Sequence, residues 1–218
     1  MRGAGDKKWL ERLEAEHDNM GAALSFALEV SEIELTLRLA GVLGTFWHIH
    51  SHSDEGRKWL EVALARDEGA PAAVRIRALK ALYWLAFDQW DHDRTETIAG
   101  EAIELSAEAE IETSLAASLK IMSAGPAWVR GDYERGKELL EESLEISRKA
   151  GDRIMIAEAL IQLAATAWGL GDTKRGMEIY EEGADLCREA GYTFRLPDFL
   201  FSLGYQLLLE GDYERGRR

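Results

Sequence analysis

Gly131-Asp132-Tyr133-Glu134-Arg135-Gly136, Gly171-Asp172-Thr173-Lys174-Arg175-Gly176 and Gly211-Asp212-Tyr213-Glu214-Arg215-Gly216 share one pattern, Gly-Asp-x-x-x-Gly, at a spacing of 40 residues. A fixed period of that size marks stacked structural repeats. The period can be followed backward. Trp90-Asp91-His92-Asp93-Arg94 lies 41 residues before the Gly131 block, Gly56 through Leu64 matches Gly136 through Leu144, and Ala23-Leu24 lies 40 residues before Ala63-Leu64. The helix-opening turns therefore fall near 52, 91, 132, 172 and 212.

Each unit reads as two amphipathic helices. Ala157, Leu160, Leu163, Ala164 and Ala167 recur at three- and four-residue spacing. Gly171 ends that helix and Asp172 caps the next. Met177, Tyr180, Ala184 and Cys187 form a second stripe, closed by Gly191. The pattern predicts helices over 7–29, 33–50, 54–66, 72–88, 93–109, 112–129, 132–149, 153–170, 173–190 and 194–209. Pro126 falls inside one of them, where a kink or local break is expected. Pro197 falls in a first turn, where it is tolerated. Ala164, Gly204, Ala124 and Gly44 are expected where the two helices of a pair cross closely. Gly136, Gly176 and Gly216 would open the partner helix at that contact. No strand pattern appears. The expected architecture is all-α: a single right-handed α-solenoid over 1–218, with an entry helix in 1–30 and about five helix pairs in 31–218. The last repeat reads as cut short, which suggests part of a longer protein and end-to-end self-association through that repeat.

Composition narrows the function. With 40 acidic against 26 basic residues the formal charge is −14, a surface that repels nucleic-acid phosphates. No apolar run is long enough to span a bilayer, and the start lacks a hydrophobic signal core. One cysteine, Cys187, allows no internal disulfide and fits a reducing, cytoplasmic setting. On the inward stripe of its helix it reads as core, not nucleophile.

These residues resemble the tetratricopeptide repeat (TPR). Leu163-Ala164-x-x-Ala167 and Leu203-Gly204-x-x-Leu207 look like its Leu-Gly-x-x-Tyr core, and Gly176 with Gly183-Ala184 looks like its second-helix small residues. The unit here is about 40 residues against 34 in the standard repeat, so the helices should be longer. Long units of this kind are similar to the arrays of bacterial LuxR-type and maltose-regulator-like transcription regulators. Trp9-Leu10-Glu11-Arg12-Leu13-Glu14-Ala15-Glu16-His17-Asp18-Asn19-Met20-Gly21-Ala22-Ala23-Leu24 looks like the segment leading out of the ATPase module there. The resemblance implies a non-catalytic sensor or interaction module of such a regulator. The alternatives are a scaffold within a cyclase or kinase, or a free-standing adaptor. Its partners would be a protein, peptide or small-molecule effector and the other domains of the same chain, with no direct nucleic-acid or membrane contact.

Candidate sites follow from that frame. In such arrays the first helix of each pair lines the concave face. Repeat spacing places Arg38, His48, Arg77, Lys80, Trp84, Phe87, Trp128, Glu158, Trp168 and Tyr205 on it. Aromatic and Arg side chains concentrate binding energy. The competing reading is that these aromatics pack between repeats. His48-Ile49-His50-Ser51-His52 is the most metal-like stretch, but residues two apart in a helix do not face each other, and no cysteine or carboxylate completes an evident site. It reads as a polar helix end. Glu14, Glu16, His17 and Asp18 read as a solvated face. No cofactor motif and no catalytic constellation is expected.

Overall fold

The computed structural model describes residues 5–107, 110–192 and 194–216. These residues form twelve helices and no strand: α1 (Gly5–Ala15), α2 (His17–Glu29), α3 (Ile33–Ile49), α4 (Ser53–Ala65), α5 (Ala72–Asp88), α6 (His92–Ala107), α7 (Thr113–Val129), α8 (Tyr133–Ala150), α9 (Arg153–Gly169), α10 (Thr173–Ala190), α11 (Leu196–Leu209) and α12 (Tyr213–Gly216). The contacts cluster into two compact units, Lys7–Leu115 and Ala116–Arg218. Both are built of consecutive helices packed in pairs. No described helix is long and apolar enough to cross a membrane.

One turn recurs at eight of the helix joints. The N–H of Glu32, His52, Asp91, Asp132, Asp152, Asp172, Tyr192 and Asp212 each bonds the carbonyl five residues back, at 2.8 to 3.1 Å. That six-to-one bond closes the helix end when the preceding residue turns left-handed. Gly131, Gly151, Gly171, Gly191 and Gly211 do so with φ between 65° and 81°. In the earlier units Ser31, Ser51 and Trp90 take the same conformation at φ 59° to 61°. The residue after the turn then opens the next helix. Asp132, Asp172 and Asp212 accept the N–H of Arg135, Arg175 and Arg215, at 3.2, 3.0 and 3.2 Å. From Asp132 to Asp212 the step is 20 residues per helix, and 40 per pair; in the earlier unit the turn is made at Glu32, His52 and Asp91, and α4 joins α5 without it.

Most predicted helix ends agree within two residues. Three expectations change. The entry helix is broken at Glu16 into α1 and α2. The helix containing Pro126 runs on to Val129. Pro126 stands in its last turn, where only one backbone bond is forfeited. The small residues also divide by role. Gly176 sits 3.1 Å, measured from an added Cβ, below the Ala164 carbonyl, and Gly136 sits 3.7 Å from that of Ala124, as expected for crossings within a pair. Gly44 instead faces Ala81 of α5, the first helix of the following pair. Gly204 has nothing nearby. The side-chain surroundings of Gly216, and residues 108–109 at one predicted helix end, lie outside the described residues.

Gly183 is the tightest site in the second unit. A Cβ there would enter the ring of Phe199, which is wholly buried. Forty residues earlier the same two positions hold Ser143 and Ala159, a larger and a smaller residue. Gly183→Ala is expected to cost about 1–3 kcal/mol through overpacking. Gly204→Ala should instead stabilise by about 0.5–1 kcal/mol, because it removes a helix glycine from open space. Gly171→Ala forces a Cβ into the left-handed region and should cost about 1–2 kcal/mol. Urea unfolding of the three variants checks all three signs.

Candidate functional site

In the Lys7–Leu115 unit, the polar candidates already have partners. Arg38 pairs with Glu34 one turn away at 2.7 Å, Arg77 with Glu112, and His48 with Asp88 of α5. Trp84 and Phe87 are half-buried. Their rings lie 5.8 Å apart and edge-on, and both flank the buried Tyr83, at 5.3 and 6.2 Å. Burial pushes the Tyr83 hydroxyl pKa well above its usual value. Lys80 is half-buried on the same helix.

In the Ala116–Arg218 unit, the aromatics reach the surface. Trp128 is 37% exposed, Trp168 42% and Tyr205 47%. Trp168 of α9 meets Tyr205 of α11 edge-on at 6.4 Å. Tyr205 stacks on Phe201 one turn earlier, also at 6.4 Å, and Phe201 is 76% exposed. Trp128 packs edge-on against Tyr133 at 6.1 Å. A row of three rings, Trp168, Tyr205 and Phe201, thus runs across two successive first helices. Leu208, on the same stripe, is exposed as well. A cleft of about 340 Å³, lined by Leu144, Arg148, Leu160, Arg175 and Ile179, lies elsewhere, between the second helices α8 and α10. Charged chains rim it.

Glu158 does not join that row. It is only 7% exposed, because its carboxylate is engaged by Arg195 through Nε and Nη2, both donating at 2.8 Å. Arg195 Nη1 also donates to Asp198 at 3.0 Å, and the Tyr192 hydroxyl donates to Glu158 at 3.3 Å. Burial alone would lower the Arg195 pKa. The adjacent Glu158 charge overrides it and holds the guanidinium firmly protonated. Burial, reinforced by Glu158, also pushes the Cys187 thiol up to about 11. A buried thiol at that value is a core side chain. Repeat spacing put Glu158 on the binding face; on α9 its side chain is buried instead. The spacing could not reveal Arg195, which stands just before α11 and has Met155 as its equivalent 40 residues earlier. There Ser118 Oγ donates to Met155 Sδ at 3.2 Å, the neutral counterpart of the charged pair.

The histidine stretch separates at the α3–α4 turn. His48 faces α5. His50 Nδ1 and His52 Nε2 approach Glu14 Oε2 at 2.9 and 3.2 Å. The His52 hydrogen bond, opposed by burial, holds the Glu14 carboxyl below its usual range. The turn at Ser51, φ 60°, frees these rings from the two-apart helical geometry that argued against a shared site. Among the described residues, one group of side chains is arranged as metal ligands are: His17, His52 and Glu55. The sequence offered its members in two separate stretches, with nothing in the spacing to join them.

No family model matches the chain, and no curated protein matches it. Solved structures do. A Rap protein complexed with Competence and Sporulation Factor superposes with a TM-score of 0.73 at 17% identity, over 84% of this chain and 51% of that one. BtubC (BKLC) from P. vanneervenii gives 0.66 at 17% identity, over 95% of this chain and 87% of that one. Nearly identical TPR-like repeats of kinesin light chain type from Podosopora anserina give 0.56 at 14%, over 83% and 90%. The chain thus spans about half the length of the Rap protein it matches. At these identities the likeness is one of fold: the chain carries TPR-like, all-α repeats.

Removing one member of a buried ion pair leaves the other charge stranded. Glu158→Ala should cost about 3 kcal/mol. The double exchange Glu158→Ser with Arg195→Met, which installs the neighbouring repeat's own neutral pair, should recover most of that loss. Urea unfolding of the single and double variants measures both.

Proposed function

We propose that the chain is a non-catalytic interaction module that docks a peptide or protein segment on the first-helix face of residues 116–216, with Trp168, Tyr205 and Phe201 as the anchor and Trp128 as a flanking contact. The observation that supports this reading is the row of partly exposed rings at edge-on and stacked distances on α9 and α11. Rings that only packed between repeats would be covered. Rings held by neighbours yet open on one side offer rigid apolar area at low entropic cost. Glu158, Arg195 and Asp198 are already paired with one another, which leaves the rings to supply the affinity. Arg38, His48, Arg77, Lys80, Trp84 and Phe87 form a second, more polar set on the Lys7–Leu115 unit.

In its finer form, the module senses an effector for a larger ATPase-type transcription regulator. The likeness of the segment around Trp9–Leu24 to the exit from such an ATPase supports that form. A nucleotide-binding loop encoded upstream in the same reading frame is expected, and a cyclase or kinase domain there would overturn it.

The docking surface is tested by selecting displayed peptides against the tag-free chain. Selected peptides should contact the ring row, so Trp168→Ala and Tyr205→Ala each weaken binding at least about tenfold, the usual scale for an aromatic anchor. Circular dichroism should show both variants as helical as the parent. Binders indifferent to both substitutions overturn the assignment.

A further inference from the structure

The Lys7–Leu115 unit gathers three histidines and two glutamates from four helices. Glu14 lies in the last turn of α1, and His17 is the first residue of α2. His50 follows the last residue of α3, His52 precedes the first residue of α4, and Glu55 lies in the first turn of α4. The His17 and His52 rings stack at 4.1 Å. His17 Nε2 stands 2.9 Å from Glu55 Oε2, yet it is buried and makes no hydrogen bond of acceptable geometry. One ligand atom each from His17, His52 and Glu55 lies within 4.8 Å of the other two. The buried Phe46 ring closes the inner side, 5.8 Å from His17 and 5.7 Å from His52.

We propose that His17, His52 and Glu55 bind a divalent transition-metal ion of the zinc class, which ties the α1–α2 break to the α3–α4 turn. Two imidazoles and one carboxylate suit zinc, cobalt or nickel far better than magnesium or calcium. Ligand bonds of about 2.0–2.2 Å in a tetrahedral arrangement set ligand atoms roughly 3.3 Å apart. His17 Nε2 and Glu55 Oε2 stand 2.9 Å apart and no pair in the cluster exceeds 4.8 Å, so side-chain rotations complete the site. Ligating carboxylates are usually held from behind by a second hydrogen bond. Here the Trp59 indole N–H donates to Glu55 Oε1 at 3.1 Å and leaves Oε2 turned toward His17. Glu14 sits against His50 and His52, where it orients both rings and adds a second negative charge. With neutral imidazoles, Glu14 and Glu55 together balance a dication. The backbone supports the same arrangement. The helix break at Glu16 presents Glu14 and His17 to one side, and the left-handed Ser51 turns His50 and His52 toward them.

The test uses tag-free protein stripped with chelator. Titration calorimetry should give one Zn²⁺ per chain, Co²⁺ should develop the absorption of a low-symmetry nitrogen–oxygen site, and Zn²⁺ should raise the unfolding temperature. His17→Ala and His52→Ala should abolish stoichiometric binding. Glu55→Gln, nearly isosteric and therefore folded, should weaken it by far more than tenfold. Glu14→Gln, which touches the rings from outside, should weaken it about tenfold. His92→Ala, which removes a histidine that is not part of the cluster, should leave it unchanged. Absence of stoichiometric Zn²⁺ binding, or equal affinity in the parent and Glu55→Gln, overturns the proposal.

Discussion

Most helix joints in this chain depend on one backbone hydrogen bond, repeated. The N–H two or three residues beyond a helix returns to a carbonyl in its last turn, across a residue in left-handed conformation. That bond ends one helix and aims the next back along it. From Asp132 to Asp212 it recurs every 20 residues, so within that unit equivalent positions meet equivalent neighbours. Glycine adopts the required φ at no cost. The first unit makes the same turn with Ser31, Ser51 and Trp90, but joins α4 to α5 by a loop through Pro71 instead.

Within that frame, packing varies by compensation. Gly183 and Phe199 exchange volume between the two positions that hold Ser143 and Ala159 one repeat earlier. Glu158 and Arg195 replace Ser118 and Met155 in the same way, charge for neutrality. Each change is tolerable only because its partner changed too. Repeats can thus diverge in chemistry while the spacing between helices stays constant.

The fold was legible because the turn leaves a sequence mark, Gly-Asp-x-x-x-Gly, and the helices carry a regular apolar period. Helix ends followed from those marks within two residues. The break at Glu16 left no such mark: no glycine or proline stands there. The candidate face was legible as positions on helices, and Trp128, Trp168 and Tyr205 are partly exposed on theirs. What the sequence hid was pairing. Arg195 claims Glu158 from a repeat position that holds methionine 40 residues earlier, so the period gives no sign of the pair. His17 and Glu14 meet His50 and His52 across more than 30 residues, through a turn whose serine carries no conformational signature. Long-range meetings of polar groups depend on side-chain reach, which periodicity does not encode.

The charged pair has a further consequence. Adjacent repeats of similar sequence can dock one repeat out of place, or exchange helices between molecules, because each interface looks like the next. Here they do not look alike. A chain that slipped by one repeat would set Glu158 against the methionine at 155, or Arg195 against the serine at 118, and bury a charge without its counterpart at several kcal/mol. The Glu158–Arg195 pair therefore acts as an address within an otherwise repetitive chain, favouring one alignment of helices over its near-copies during folding.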